Sequence, residues 1–164
     1  MAVDIHVRVT EKPLSVDALI RVVTRPGAGA IVVFQGMPRD ISRLDYEAYR
    51  EMAEERMTAI LSDALEHHDL QAIAAEHRIG RVELSEPSVI VAVSAAHRSE
   101  AFAAAREAID RIKAETPIWK QEVDADGTVR RVSGAPPAIG AGIAAVTPSE
   151  VGAGESVKGR RQDG

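Results

Sequence analysis

The segment SVIVAVSAAH, residues 88–97, constrains the fold more than any other part of the chain. Its apolar residues run almost without interruption, which is typical of a strand that is covered on both faces. The run is too short for a membrane-spanning helix, which needs about 20 apolar residues. We therefore predict a central strand of a sheet at this position.

Other segments show the patterns of further strands. Ile5, Val7 and Val9 alternate with polar residues, which predicts a strand with one buried face. A buried strand is predicted for AIVVFQG, an alternating strand for RLDYEAY, and another strand for AIAAEHRIG. Near the end, IWKQEVDADGTVRRV predicts two strands joined by an Asp-Gly turn.

Three segments have helical character. From Tyr49 to Leu65 the apolar residues recur at the spacing of a helix with one buried face. Ser15 is predicted to cap a short helix over VDALIRVVT. Ser99 is predicted to cap a third helix, EAFAAAREAIDRIKAE, which must end before Pro117. Its predicted buried residues are Phe102, Ala105, Ile109 and Ile112.

The order of these elements predicts an α+β fold, because helices and strands do not alternate strictly. With 164 residues the chain has room for one ordinary domain, which we expect to occupy residues 1–133. Residues 134–164 are rich in glycine, alanine and proline, and we expect a flexible tail there.

Composition narrows the functional classes. The chain has no cysteine, so sulfur chemistry would need an outside donor. A net charge of −5 and an aromatic content of 3% argue against nucleic-acid binding. No membrane segment and no signal peptide are recognised, so a cytoplasmic protein is expected. The five histidines show no metal-binding spacing, and neither a metal nor a cofactor is expected.

Two lysines in IKAETPIWKQE are candidates for catalysis. Lys113 lies at the edge of the buried face of the third helix, and Lys120 lies on the strand after Pro117. Because the proline turns the chain, the two ammonium groups can converge on one site from two elements. Taken alone, Lys113 is better explained as an ordinary lysine at a helix end.

Further cations are predicted near strand ends. His97 and Arg98 follow the central strand and precede a helix, a position that attracts anions. Arg39 follows the strand that contains Phe34, and His77 and Arg78 lie in EHRIG. Together these residues predict a site for a phosphate or a small anionic ligand. Alternatively, His97 and Arg98 are an ordinary surface pair and Phe34 is a core residue, with no role in ligand binding.

The motifs GAIVVFQGMPRD, LDYEAYREMAEE, EHRIGRV, SVIVAVSAAHRSEAF and IDRIKAETPIWKQE occur in this order. In this combination the chain closely resembles the MoaE family, the large catalytic subunit of molybdopterin synthase. The resemblance extends from about Val3 to Gly127, so no role is assigned to Arg130 or Arg131. It implies an α/β hammerhead fold with an additional antiparallel sheet.

The resemblance also implies an activity. Family members transfer sulfur to cyclic pyranopterin monophosphate, which gives the dithiolene of molybdopterin. The donor is the thiocarboxylate at the C-terminal Gly-Gly of a small MoaD-like subunit, and two large subunits form a homodimer within a heterotetramer. By resemblance Lys113 and Lys120 are catalytic, and the predicted substrate-binding residues are Arg39, His97, Arg98 and Phe34.

Two other functions remain open at this point. The chain can be a binding module that holds a ubiquitin-like Gly-Gly tail without turnover. It can also be a binding protein for another phosphorylated metabolite, in which case no such partner is needed. Detection of product with a thiocarboxylated partner separates catalysis from both.

Overall fold

The first of two sheets forms the centre of the molecule in the computed structural model, which describes residues 4–39 and 43–132. It contains β1 (Ile5–Thr10), β2 (Ala30–Gly36), β4 (Leu70–Arg78) and β6 (Val89–Ala95), in the order β1-β4-β6-β2. β1 and β4 are parallel, and the other pairs are antiparallel. All seven residues of β6 are buried, which confirms the predicted central strand.

Helices cover both faces of this central sheet. α2 (Arg50–His67) and α3 (Arg98–Glu115) pack together on one face, where the larger apolar core lies. α1 (Val16–Val23) packs on the other face through Leu19 and Val23. The oxygen Oγ of Ser15 accepts a hydrogen bond from the backbone N–H of Ala18 at 3.3 Å, so the predicted cap of α1 is confirmed.

The second sheet is antiparallel throughout. It contains β3 (Arg43–Ala48), β5 (Gly80–Glu83), β7 (Ile118–Val123) and β8 (Val129–Val132), in the order β5-β3-β7-β8. α3 ends at Glu115, with Thr116 as its C-cap, and leads into β7 through Pro117, as the sequence predicts. The Asp-Gly turn is also present, with Gly127 at a φ of 84°.

Three sequence predictions about these elements are wrong, and one strand was missed. α3 begins at Arg98 with His97 as its N-cap, and the hydroxyl of Ser99 bonds to Glu100 instead of capping the helix. Phe102 is 63% exposed, because α3 packs on the sheet mainly through its alanines. β2 lies at the edge of the central sheet, where Ile31 is exposed, and β5 was not predicted.

The α+β fold class is confirmed by these layers. The expected tail, residues 134–164, lies outside the described residues. Among the described residues no helix is long and apolar enough to cross a membrane.

Candidate active site

Lys113 and Lys120 converge at the junction of α3 and the second sheet. Lys113 lies in the last turn of α3, where the helix dipole favours a cation. Lys120 lies on β7, beyond the bend at Pro117. Both lysines line the same two cavities, as the sequence predicts for two elements joined by a proline turn.

The two cavities differ in size and in lining. They share Tyr46, Ser88, Lys113 and Lys120. The small cavity has a volume of about 200 Å³, and its other lining residues are His77, Val89, Ile112 and Ile118. The large cavity has a volume of about 630 Å³, and its other lining residues include Phe34, Gly36, Arg39, Leu44, Glu122 and Arg130.

Strand register explains why residues distant in sequence share these cavities. Tyr46 on β3 lies directly opposite Lys120 on β7. Glu122 lies opposite Leu44 on β3 and opposite Arg130 on β8. Since directly opposed residues point to the same face of a sheet, one face of the second sheet supplies a wall of the large cavity.

The large cavity has a strong excess of positive charge. Among the described residues it is lined by four cations (Arg39, Lys113, Lys120 and Arg130) and one carboxylate, Glu122. The ammonium of Lys120 lies 3.5 Å from Oε1 of Glu122, and Arg130 pairs with Asp124 at 2.9 Å. Arginine and lysine donors in such an arrangement suit a phosphate or a carboxylate.

A chain of hydroxyl groups crosses the wall that the two cavities share. Tyr46 donates a hydrogen bond to Oγ of Ser88 at 3.2 Å, and Ser88 donates to the carbonyl oxygen of Gly36 at 3.2 Å. Burial raises the pKa of the Tyr46 hydroxyl, and the negative charge of Glu122 raises it further, although the Ser88 bond acts in the opposite direction. Tyr46 therefore remains a protonated donor at neutral pH.

His77 is not the cation that the sequence predicts. The residue is 7% exposed, and burial lowers its pKa from 6.5 to about 4, helped by the nearby charge of Lys113 and opposed by the hydrogen bond to the backbone of Arg78. Arg78 does not line either cavity, because its guanidinium bonds to Glu86 at 2.6 Å. The prediction of an anion site at His77 and Arg78 is therefore wrong.

The predicted substrate-binding residues fall into two groups. Phe34 and Arg39 line the large cavity beside the lysines. His97 and Arg98 are exposed at the opposite end of α3. Because a helix rises about 1.5 Å per residue, Arg98 lies roughly 22 Å from Lys113 along the helix axis. One chain does not bring all the predicted residues together.

The cavity residues that were not predicted as site residues include Tyr46, Ser88, Glu122 and Arg130. The alternation in RLDYEAY places Tyr46 on one face of a strand, but only the pairing of β3 with β7 brings that face to Lys120. No sequence signal singles out Ser88. In the described part of the chain, no group of three or more metal-binding side chains could hold a metal ion.

This combination of features defines a class of α+β protein in which a helix end and an added antiparallel sheet enclose a cavity lined by cations. The family model described as MoaE protein matches residues 9–115 of the chain. The chain therefore belongs to the MoaE family.

Curated relatives agree with this assignment. The molybdopterin synthase catalytic subunit of Thermoplasma volcanium is 43% identical over 131 residues, which cover 76% of this chain and 96% of the relative. The rice protein of the same name (Oryza sativa subsp. indica) is 48% identical over 108 residues, which cover 62% of this chain and 56% of the relative. The chain thus spans only about half the length of the rice protein.

Solved structures confirm the fold that the family resemblance implies. The crystal structure of molybdopterin synthase from Staphylococcus aureus has a TM-score of 0.74 at 32% identity and covers 77% of this chain and 96% of that chain. A complex of subunits 1 and 2 of molybdopterin-converting factor from Helicobacter pylori has a TM-score of 0.62 at 18% identity. It covers 79% of this chain and 89% of that chain, and it supports the fold alone.

Proposed function

We propose that the chain is the catalytic subunit of a molybdopterin synthase. It transfers sulfur from the C-terminal thiocarboxylate of a small MoaD-like subunit to cyclic pyranopterin monophosphate and forms the dithiolene of molybdopterin. The observation that carries this proposal is the shared position of Lys113, Lys120 and Arg39 around one large cavity. Membership of the MoaE family supports the reaction class.

The small partner supplies the sulfur because this chain has no cysteine. The large cavity suits an extended Gly-Gly terminus, whose lack of side chains lets its backbone approach the wall closely. The negatively charged thiocarboxylate is attracted by the four cations of the lining. A partner subunit therefore completes the site when its tail enters the cavity.

Lys113 stabilises negative charge at the reacting thiocarboxylate. The sulfur attacks a pterin carbon, a carbon–oxygen bond at that carbon breaks with the oxygen leaving in protonated form, and a thioester forms. Water then attacks the acyl carbon and the bond from that carbon to sulfur breaks. The partner leaves as its carboxylate and the sulfur stays on the pterin, so negative charge develops on the acyl oxygen and on the departing sulfur. The ammonium of Lys113 lines both cavities and stabilises this charge. Lys120, which contacts Glu122, lies beside the pterin, and either Lys120 or His97 moves protons.

Arg39 and Phe34 hold the substrate in the large cavity. A bidentate arginine contact suits the cyclic phosphate, and the Phe34 ring forms part of the wall. His97 and Arg98 do not reach this cavity in their own chain. We assign them to the site of a second copy, in a homodimer that lies within a heterotetramer.

A reconstitution assay tests the function. The purified chain is mixed with cyclic pyranopterin monophosphate and a small partner that carries a C-terminal thiocarboxylate, and molybdopterin is measured. The matched control is the same partner with an ordinary carboxylate, which should give no product. Binding of the partner without product would identify a binding module instead. Binding of a different phosphorylated metabolite, with no need for the small partner, would identify a binding protein for that metabolite.

The proposal includes a location in the cytoplasm, as expected from the sequence. Fractionation of cells that express the tagged chain tests it. Recovery with the membrane fraction or outside the cell would contradict this location.

A further inference from the structure

His77 has one ring nitrogen that is committed to the backbone. Its Nδ1 lies 2.8 Å from the carbonyl oxygen of Arg78. A carbonyl oxygen only accepts, so Nδ1 carries the proton and donates this bond. In a neutral ring the other nitrogen, Nε2, then carries a lone pair and acts only as an acceptor.

The surroundings of His77 keep the ring neutral. The ring is almost completely buried at the small cavity, which also contains the ammonium-bearing side chains of Lys113 from α3 and Lys120 from β7. Tyr46 from β3 contacts the ring edge-on, with 5.1 Å between ring centroids. Because burial and neighbouring positive charge both oppose protonation, Nε2 keeps its lone pair throughout the neutral range.

Nε2 is also an unused acceptor, since the hydrogen bond that the structure gives this ring among the described residues uses Nδ1. The other polar groups of the small cavity have different roles. Lys113 and Lys120 can only donate. The protons of Tyr46 and Ser88 are used in the hydroxyl chain, so these two groups offer a ligand only the remaining lone pairs of their oxygens. A ligand in this cavity therefore meets lysine donors and a fixed nitrogen acceptor.

The size and walls of the small cavity suit a flat heterocycle better than a phosphate. Its volume is about 200 Å³, and Val89, Ile112 and Ile118 provide aliphatic walls. The large cavity holds Arg39 and Arg130 and suits the phosphate. Because the two cavities share both lysines, a ligand that occupies both places its middle part beside Lys113 and Lys120.

We propose that His77 determines specificity for the nitrogen heterocycle of the substrate, with Nε2 accepting a hydrogen bond from a ring N–H group in the small cavity. This inference rests on the proposed function and adds to it the orientation of the substrate. It explains why a buried histidine lies among lysines: an acceptor is needed where the neighbouring cations supply only donors.

The first experiment compares wild type, His77→Phe and His77→Gln. Binding of cyclic pyranopterin monophosphate and of inorganic phosphate is titrated in the presence of the unmodified small partner, so that no turnover occurs. His77→Phe should weaken pterin binding by about 10-fold, the usual result of leaving a buried donor unpaired. Inorganic phosphate binding should change less than twofold. His77→Gln, whose amide oxygen can accept, should restore most of the pterin affinity.

Kinetics with the thiocarboxylated partner give a second readout. His77→Phe should raise KM for the pterin and leave kcat nearly unchanged, because the contact is made equally in the ground state and the transition state. A lower kcat at unchanged KM would overturn the proposal and would mean that His77 orients Lys113. Equal losses of pterin and phosphate binding, or no loss at all, would overturn it as well.

A measurement on wild-type protein does not depend on how well the variants fold. The ¹⁵N signal of His77 Nε2, assigned by its loss in His77→Gln, should move upfield when cyclic pyranopterin monophosphate is added. Inorganic phosphate should leave it in place, and a signal unchanged by the pterin would contradict the proposal. If wild type gives no molybdopterin, the proposed function fails. If wild type is active and the His77 variants match it, only this inference fails.

Discussion

Lys120 lies directly opposite Tyr46 in the antiparallel pair of β7 and β3, and both side chains line the cavities that contain Lys113. The lysine pair is therefore held by two different kinds of structure. Lys113 is positioned by the end of a helix, and Lys120 by the register of a sheet. A cavity built at such a junction places cations from separate elements around one ligand.

Lys113→Ala should remove most of the activity without unfolding the protein. Lys113 is exposed at the end of α3, so its loss leaves no buried hole. We expect kcat to fall by a factor of about 100 to 1,000, the usual effect of removing one group that stabilises developing charge. Conversion is measured with the reconstituted partner. The control is Lys12→Ala, which changes an exposed lysine that is distant from Lys113 in the sequence. Equal conversion by the two variants would contradict the catalytic role of Lys113.

Mixed homodimers should reveal whether His97 and Arg98 serve the second copy. Two chains are co-expressed with different tags, one with Lys113→Ala and one with His97→Ala and Arg98→Ala, and the doubly tagged dimer is purified. If these residues act across the interface, the mixed dimer has one intact site of two and about half of the wild-type activity. Each parent variant alone should be nearly inactive. A purified mixed dimer that is as inactive as its parents would show that the site lies within one chain.

Gly36→Ala should destabilise the fold next to the cavities. A Cβ atom on Gly36 would lie 2.6 Å from Cγ1 of Val89, which is buried on the neighbouring strand β6. We expect the free energy of unfolding to fall by about 1 to 3 kcal/mol, as for other overpacked cores. The measurement is urea unfolding.

A double-mutant cycle supplies the control for Gly36. Val89→Ala removes the atom that the new Cβ would meet, so Gly36→Ala should cost clearly less in that background. An equal cost in both backgrounds would point to a cause other than this contact, such as the backbone conformation of Gly36.

His77 should make the stability depend on pH between about 6.5 and about 4. The unfolded chain binds a proton on this ring near pH 6.5, and the folded chain binds it only near pH 4, so protonation in this range favours the unfolded chain. The contribution of the neutral His77 ring to the free energy of unfolding is complete above about pH 6.5 and is lost as the pH falls to about 4. It amounts to about 3 kcal/mol.

The difference in unfolding free energy between wild type and His77→Gln, measured at several pH values, isolates this effect. All other titrating groups are common to both proteins and cancel in the difference. The advantage of wild type should shrink as the pH falls through this range. Parallel curves would mean that the ring ionises normally in the folded protein.

Much of the secondary structure was predictable because it depends on residues that are neighbours in sequence. The helix over Arg50–His67 shows a 3.6-residue repeat, and the hydroxyl of Ser15 caps a helix that begins at the next residue. Pro117 ends α3 through its own ring geometry. The convergence of Lys113 and Lys120 was predictable for the same reason, since one short turn connects their elements.

The wrong predictions share a different physical cause. Phe102 lies at helical spacing from Ile109, but the face of α3 that packs on the sheet consists mainly of small alanines, so the helix is rotated with Phe102 outward. Sequence spacing describes a possible face and does not fix which face finds a partner. The edge position of β2 and the existence of β5 likewise depend on strand pairing.

Local interactions thus account for the helices, most strands and the meeting of two lysines, because short-range sterics, capping and periodicity act within a few residues. Other cavity residues come together around these lysines only because particular strands pair in a particular register. These residues are Tyr46, Ser88, His77 and Arg39. The neutral state of His77 also depends on the tertiary structure, whereas the sequence alone predicts a cation at this position. Burial and electrostatic environment belong to the assembled molecule, and they convert an apparent cationic histidine into a hydrogen-bond acceptor.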